Sequence, residues 1–152
     1  MNDNNSLLSQ HFPECFHRVS VKGLYVVDNK LLLGKESPAL SGCWELPGGG
    51  LDLGESPQRG VMREIHEEMG LKVSKIDDHP LYAWTERFEN RRGMEWFYSL
   101  VLCYRIELEH LNFQASEECE AIDFFSKEQL QSLDLHHQSM ELRTIFNPMD
   151  FC

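Results

Sequence analysis

Apolar and polar positions change their period along this chain, and the changes mark out its elements. HRVSVKGLYVV (residues 17–27) is dense in β-branched and aromatic residues, and KLLLGK (30–35) follows after Asp28-Asn29. Two such runs flanking an Asx-rich turn predict a β-hairpin over residues 19–35. Beyond the polar loop ESPALSG, the short apolar run CWEL stops at Pro47 and three glycines, Gly48, Gly49 and Gly50. The period then turns helical: Val61, Ile65 and Met69 recur every four residues and form one apolar stripe. Ser56 stands where an N-cap belongs, Pro57 where the first helical residue belongs, and Gly70 where a left-handed residue ends a helix. Strand character returns in LYAWTERF (81–88) and EWFYSLVLCYRIEL (95–108), joined by the turn-like ENRRG, and in IDFF (122–125). Ser126 is placed to cap a helix through SKEQLQSL, with Glu128 in its first turn, and a last helical segment at residues 139–145 precedes Pro148. No repeat or linker divides the chain. Strands, helix, strands, helix predict one domain of mixed α+β or α/β/α layers over residues 15–152, behind a short N-terminal arm at 1–14.

Composition narrows the chemistry. The length of 152 residues is enough for a self-sufficient core. A formal charge of −11, from 25 acidic against 14 basic side chains, argues against duplex nucleic acid or anionic lipid as partner. It leaves room for a small anionic substrate whose charge a metal balances. No apolar run approaches the ~20 residues of a membrane span, and the first residues carry no signal-peptide pattern. Cys15, Cys43, Cys103, Cys119 and Cys152 are odd in number and never at C-x-x-C spacing, so they read as buried or inert thiols of a cytoplasmic protein.

The helix that starts at Pro57 carries the most telling feature. At 100° per residue with Val61 at zero, the apolar stripe centres near ~40°, and Glu64, Glu67 and Glu68 fall near ~300°, ~240° and ~340°. Three carboxylates thus share a flank beside the buried face. Like charges at this spacing repel by roughly 0.2–0.5 kcal/mol per pair, so a cation is expected there. Hard divalent ions take such oxygen ligands, and Mg²⁺ commonly bridges carboxylates to phosphates. Glycines just ahead of the helix allow close backbone approach to a ligand.

Residues 49–71 match G-x5-E-x7-R-E-U-x-E-E-x-G-U, where U is aliphatic. Gly49 is followed after five residues by Glu55, and after seven more by Arg63-Glu64-Ile65-His66-Glu67-Glu68-Met69-Gly70-Leu71. On this segment the chain resembles the Nudix hydrolases of MutT type, and CWELPGG and IDFFSKEQL resemble the family's flanking segments. The resemblance implies an α/β/α sandwich around a mixed β-sheet. It also implies Mg²⁺, with Mn²⁺ as a substitute, and hydrolysis of a nucleoside diphosphate linked to another group by water attack at phosphorus. Carried over by position, the metal ligands are the Gly48 carbonyl, Glu64, Glu67 and Glu68. Glu67 is the favoured general base, with Glu64 and Arg63 beside it in the catalytic set. Gly49, Glu55 and Gly70 support the loop and helix, with Glu55 paired to Arg63. Glu118 and Glu120, next to Glu117, precede a late strand where some members add an acidic ligand; a solvated acidic turn is the other reading. A homodimer is compatible with the resemblance, although no stretch of the chain marks an interface.

Other motifs fail on inspection. His66-Glu67 opens an H-E-x-x-H that Gly70 breaks, and the glycine run has neither a P-loop ending nor a completed G-x-G-x-x-G, because residue 53 is leucine. His136-His137 reads as a surface pair, and Trp84, Phe88, Trp96, Phe97 and Tyr98 as core, one of them free to stack on a base. For the substrate, Pro80 comes too early for the downstream proline of ADP-ribose hydrolases. The motifs of NADH- and coenzyme A-type members are absent, and Phe88 stands near the tyrosine of dinucleoside polyphosphate hydrolases. Elimination leaves a (deoxy)nucleoside triphosphate, with ADP-ribose or a nucleotide sugar as alternative. A non-catalytic nucleotide-sensing module is the rival of another class.

Overall fold

The computed structural model describes residues 17–89 and 96–152, with the side chains of all of these except 88, 89, 96 and 97. The expected N-terminal arm, Cys15, most of the ENRRG turn and the side chains of Phe88, Trp96 and Phe97 lie outside the described residues. In chain order the elements are β1 (His17–Leu24), β2 (Val26–Val27), β3 (Lys30–Glu36), β4 (Trp44–Glu45), β5 (Gly48–Gly50), α1 (Pro57–Met69), β6 (Val73–Ile76), β7 (Tyr82–Glu89), β8 (Trp96–Leu108), β9 (Cys119–Phe125), α2 (Lys127–Leu130) and α3 (Leu142–Ile145).

The expected hairpin over residues 19–35 is corrected by the pairing. Only β2 folds back on β3, through a turn in which Asp28 (φ 52) and Asn29 (φ 63) are both left-handed, as a two-residue hairpin turn requires. The chain leaves strand geometry at Tyr25, and β1 joins another sheet. There it runs parallel to β8, with His17 to Leu24 alongside Tyr98 to Arg105, and antiparallel to β5. Eight long-range pairings outweigh two local ones. β7 and β6 lie antiparallel to β8. The second sheet has β3 at its centre, with β2 and β4 along one edge and β9 along the other. This is a mixed sheet arrangement, and the single α/β domain expected from the sequence is what forms.

Apolar clusters flank the sheets. Val61, Ile65 and Met69 of α1 pack with Val21, Leu32, Tyr104 and Ile106, so the stripe read from the sequence is the buried one. On the other side, Leu24, Leu33, Leu46, Val101, Leu130, Leu142 and Phe146 meet, closed by the C-terminal segments. The two late helices are shorter than expected: α2 is one capped turn, with Ser126 and Gln129 forming a reciprocal capping box, and residues 139–145 divide into a 3₁₀ turn and α3. Cys103 and Cys119 are buried, Cys43 is partly covered and Cys152 is exposed, so the inert-thiol reading fits the first two; burial holds both thiols above their ordinary range. No helix among the described residues is long and apolar enough to cross a membrane.

Candidate active site

Ser56 accepts a hydrogen bond from the Arg59 N–H (3.3 Å), Pro57 opens α1, and Gly70 closes it at φ 65 with its N–H donated to the His66 carbonyl. These caps fix the phase of the helix and so the direction of its carboxylates. The glycines ahead of it form β5 rather than an open loop. Gly48 sits at φ 134, and a Cβ there would lie 2.1 Å from the Val21 carbonyl oxygen. A Cβ on Gly49 would meet the Glu64 carboxylate at 2.6 Å, so that side chain rests directly on bare backbone.

Arg63 is the hub. Its Nε and Nη2 grip Glu55 at 3.0 and 2.7 Å, and Nη2 also donates to the Gly50 carbonyl at 3.1 Å. Nη1 reaches Glu64 at 2.8 Å and Glu67 at 3.2 Å. Bidentate pairing of this kind fixes geometry as well as charge. Hydrogen bonds from Arg63, joined by the Asp52 N–H, hold Glu55 at about 2, and Glu55 in turn raises the guanidinium. Loop, strand and helix are therefore tied through one side chain.

Glu68 behaves oppositely. Burial pushes its carboxyl up to about 9, and the charges of Glu45, Glu64 and Glu118 push the same way, with Lys22 opposing them. Glu118 is thus an electrostatic neighbour of the helix carboxylates, whereas Glu120 pairs with Lys35 at 3.0 Å. An open depression of about 630 Å³ lies between Ser37–Leu40 and Ser116–Glu118.

Sequence reasoning missed a second charged group beside the first. Lys22, in the middle of an apolar strand, is 2% exposed and places Nζ 3.3 Å from the Gly48 carbonyl and 3.5 Å from Glu45 Oε2. Burial alone lowers this lysine, but the Glu45 and Glu68 charges hold it above its ordinary value. Burial and the neighbouring Glu36 push Glu45 up to about 7, against the pull of Lys22. The expected surface pair His136-His137 is also corrected. His136 is 20% exposed and lies 3.6 Å from Glu45 and 3.9 Å from Glu36, because the bridge between Trp44 and Leu135 brings the late segment against β4. Glu36, Glu45 and His136 put ligand atoms within 4.8 Å of one another, while two of the helix carboxylates are drawn onto Arg63. The legible signal was the charged residue inside each apolar run, VSVKGLYVV and CWEL. Of the aromatics, Trp84 is partly buried and donates Nε1 to the Gln138 carbonyl, while Tyr98 is exposed.

The family model for the NUDIX domain matches residues 16–143. The chain belongs to the NUDIX family. The family's chemistry is hydrolysis of phosphorus-containing anhydrides. A MutT-like protein of Streptomyces ambofaciens is 44% identical over 71 residues, which cover 47% of this chain and 46% of that protein. The chain therefore matches less than half the length of that relative. An ADP-ribose pyrophosphatase of Methanocaldococcus jannaschii is 29% identical over 125 residues, covering 80% of this chain and 69% of that one. Among solved structures, a MutT NUDIX hydrolase from Burkholderia pseudomallei superposes with a TM-score of 0.68 at 26% identity, covering 86% of this chain and 99% of that one. The Nudix α/β/α fold implied by the sequence is the fold found.

Proposed function

We propose that this Nudix chain is a Mg²⁺-dependent pyrophosphohydrolase that cleaves the diphosphate of a nucleoside diphosphate derivative, with (deoxy)nucleoside triphosphates as first substrates. The observation that carries the reading is the gathering of Glu64, Glu67 and Glu68 on α1 beside the β5 backbone, with Arg63 joining Glu64 and Glu67 to the Gly50 carbonyl and Glu64 resting on Gly49. A site of this kind favours a divalent ion, and its donors are all oxygens, as Mg²⁺ and Mn²⁺ prefer. The bare backbone of Gly49 against Glu64 leaves the carboxylate close to the strand, which also fits.

Gly48 through its carbonyl, Glu64, Glu67 and Glu68 would hold the metal, with Glu118 as an added ligand. Bound there, the ion supplies positive charge to the diphosphate and acidity to water. Glu67 would take the proton, a role supported by its 57% exposed side chain and by the hold of Arg63 on one of its oxygens. Arg63 serves by orientation, fixing Glu64 and Glu67 relative to the Gly50 carbonyl. Glu55 keeps the guanidinium in that pose. The triphosphate reading rests on the motifs of other substrate classes that the chain lacks. The ADP-ribose pyrophosphatase relative, which spans 80% of the chain, supports ADP-ribose as second reading, with a nucleotide sugar as the related alternative.

Incubating the protein with Mg²⁺ and a panel of triphosphates, ADP-ribose and nucleotide sugars, and reading phosphate, pyrophosphate and nucleotide products, separates these. The Glu67→Gln, Glu68→Gln double variant keeps shape but removes charge, and is expected to lose at least ~10³-fold in turnover while still folding. Full activity in that folded variant would remove the helix from the chemistry.

A further inference from the structure

We propose that Lys22 is a positioning residue of the phosphohydrolase site, a permanent internal cation that, with Glu45, sets how strongly the Gly48–Glu68 region attracts a divalent ion. The inference rests on the reading of Gly48 and Glu68 as metal-holding groups, and adds a function for two residues outside the box.

The geometry gives Lys22 this place. It lies on β1 directly across from Gly48 in the β1–β5 register, and its ammonium donates to the Gly48 carbonyl at 3.3 Å. A carbonyl oxygen has two lone pairs, so this bond fixes the direction of the group while leaving it able to take a second partner. The neighbouring Gly23 N–H donates to the Pro47 carbonyl at 2.8 Å, so the turn into β5 is held on both sides of that position. Glu45 Oε2 lies 3.5 Å from the same ammonium, on side chains 3% and 15% exposed. At that burial the lysine does not reach solvent and is not a substrate contact. Glu45 is itself flanked by Glu36 and His136.

Stability alone is a poor reason for such a pair. Desolvation of two buried charges commonly consumes their mutual attraction, and apolar replacements of both are often neutral or stabilising. The electrostatic consequence is different in kind. A fixed positive charge beside an incoming divalent ion opposes it, and Glu45 offsets that opposition; at a few ångströms and an effective dielectric constant near ~20, such terms are worth well over tenfold in affinity. Lys22 and Glu45 therefore act as opposed settings of one quantity, the field at Gly48 and Glu68.

The experiment is a two-residue cycle read by Mn²⁺ binding to the substrate-free protein, using electron paramagnetic resonance of the free ion. K22M is expected to bind Mn²⁺ at least tenfold more tightly than the parent, E45Q at least tenfold more weakly, and K22M/E45L within about threefold of the parent, since it removes both charges together. K22R keeps the cation and is expected to stay near the parent. In turnover assays with Mg²⁺, K22M is expected to lose kcat with little change in KM, because the Gly48 carbonyl loses its anchor. Should K22M not fold, E45Q and K22M/E45L still decide the matter, because they must differ in the stated direction. Affinities of all folded variants within threefold of the parent would overturn the proposal, as would a rise in KM with kcat intact. A parent protein that binds no Mn²⁺ would instead overturn the phosphohydrolase reading itself.

Discussion

Gly48 and Gly49 are adjacent, yet a methyl group added at each should fail in different ways. At Gly49 the three nearest atoms to an added Cβ are Glu64 Oε2, Cδ and Oε1 at 2.6, 2.7 and 3.0 Å, all at the tip of one side chain. Reaching an ordinary contact of 3.4 Å from 2.6 Å requires the carboxylate to retreat by about 0.8 Å. That loosens its 2.8 Å bond with Arg63, at a cost of roughly 1–2 kcal/mol, and the lower chain entropy of alanine in the unfolded state returns roughly 0.4–1 kcal/mol. Gly49→Ala should therefore lose no more than about 6 °C, taking ~2–4 °C per kcal/mol for a chain of this size. A displacement of this order at a reacting centre costs on the order of 10²-fold in rate. At Gly48 the obstacles are backbone, Val21 O at 2.1 Å and Lys22 Cα at 2.9 Å, at a φ of 134 that L side chains avoid. Conformational strain of ~1–3 kcal/mol and overpacking of ~1–3 kcal/mol add there, so Gly48→Ala should lose at least ~4 °C and as much as ~20 °C. Thermal melts of both variants, with Mn²⁺ binding and Mg²⁺-dependent turnover on the folded protein, test the contrast. A Gly49→Ala protein with full turnover, or one destabilised as much as Gly48→Ala, would refute the reasoning.

The metal-free protein should be most stable near pH 5. Glu45 (about 7) and Glu68 (about 9) are raised in the folded state, so their contribution is complete below about 4.5 and is lost as pH climbs through those values. Glu55 (about 2) and Glu36 are lowered, so theirs is lost as pH falls below about 4.5. Calorimetry from pH 4 to 9 should show the midpoint falling by at least ~5 °C on the alkaline side, and Mg²⁺, which binds ionised carboxylates, should flatten that fall. Phe146→Ala, which empties a fully buried ring position in the cluster that holds no residue of α1, should cost about 3–5 kcal/mol in denaturant unfolding while leaving metal affinity of the folded protein unchanged.

What the sequence made legible was local. Ser56, Pro57 and Gly70 punctuate α1 within one segment, and Val61, Ile65 and Met69 state its buried face without reference to the rest of the chain. The same holds for the spacing that puts Arg63 within reach of Glu55 and Glu67. The hairpin reading failed because β1 and β3 look continuous until β8, some eighty residues away, supplies a longer partner for β1. Lys22, Glu45 and His136 were not read as one group for a related reason: three separate pairings, β1 with β5, β3 with β4, and Trp44 with Leu135, must all form before those side chains meet.

Charge connects the legible part to the missed part. Glu45, Glu55, Glu64, Glu67, Glu68 and Glu118 gather where Lys22 and Arg63 are the engaged cations and Arg18 lies over Gly50. Arg63 is committed mainly to Glu55, and Lys22 mainly to Glu45. The remaining carboxylates would crowd one another if all were ionised; burial first, and that crowding after it, push Glu68 upward. Glu68, raised in this way, keeps a proton to higher pH than an ordinary carboxyl, which lessens the negative charge of the metal-free site. A divalent ion taking the place of that proton must release it, so metal affinity should rise with pH between about 7 and 9, and proton release should accompany binding. Titrations in buffers of different ionisation enthalpy read that release directly. Binding without any proton exchange would mean that Glu68 is already ionised and that the charge balance of the site lies elsewhere.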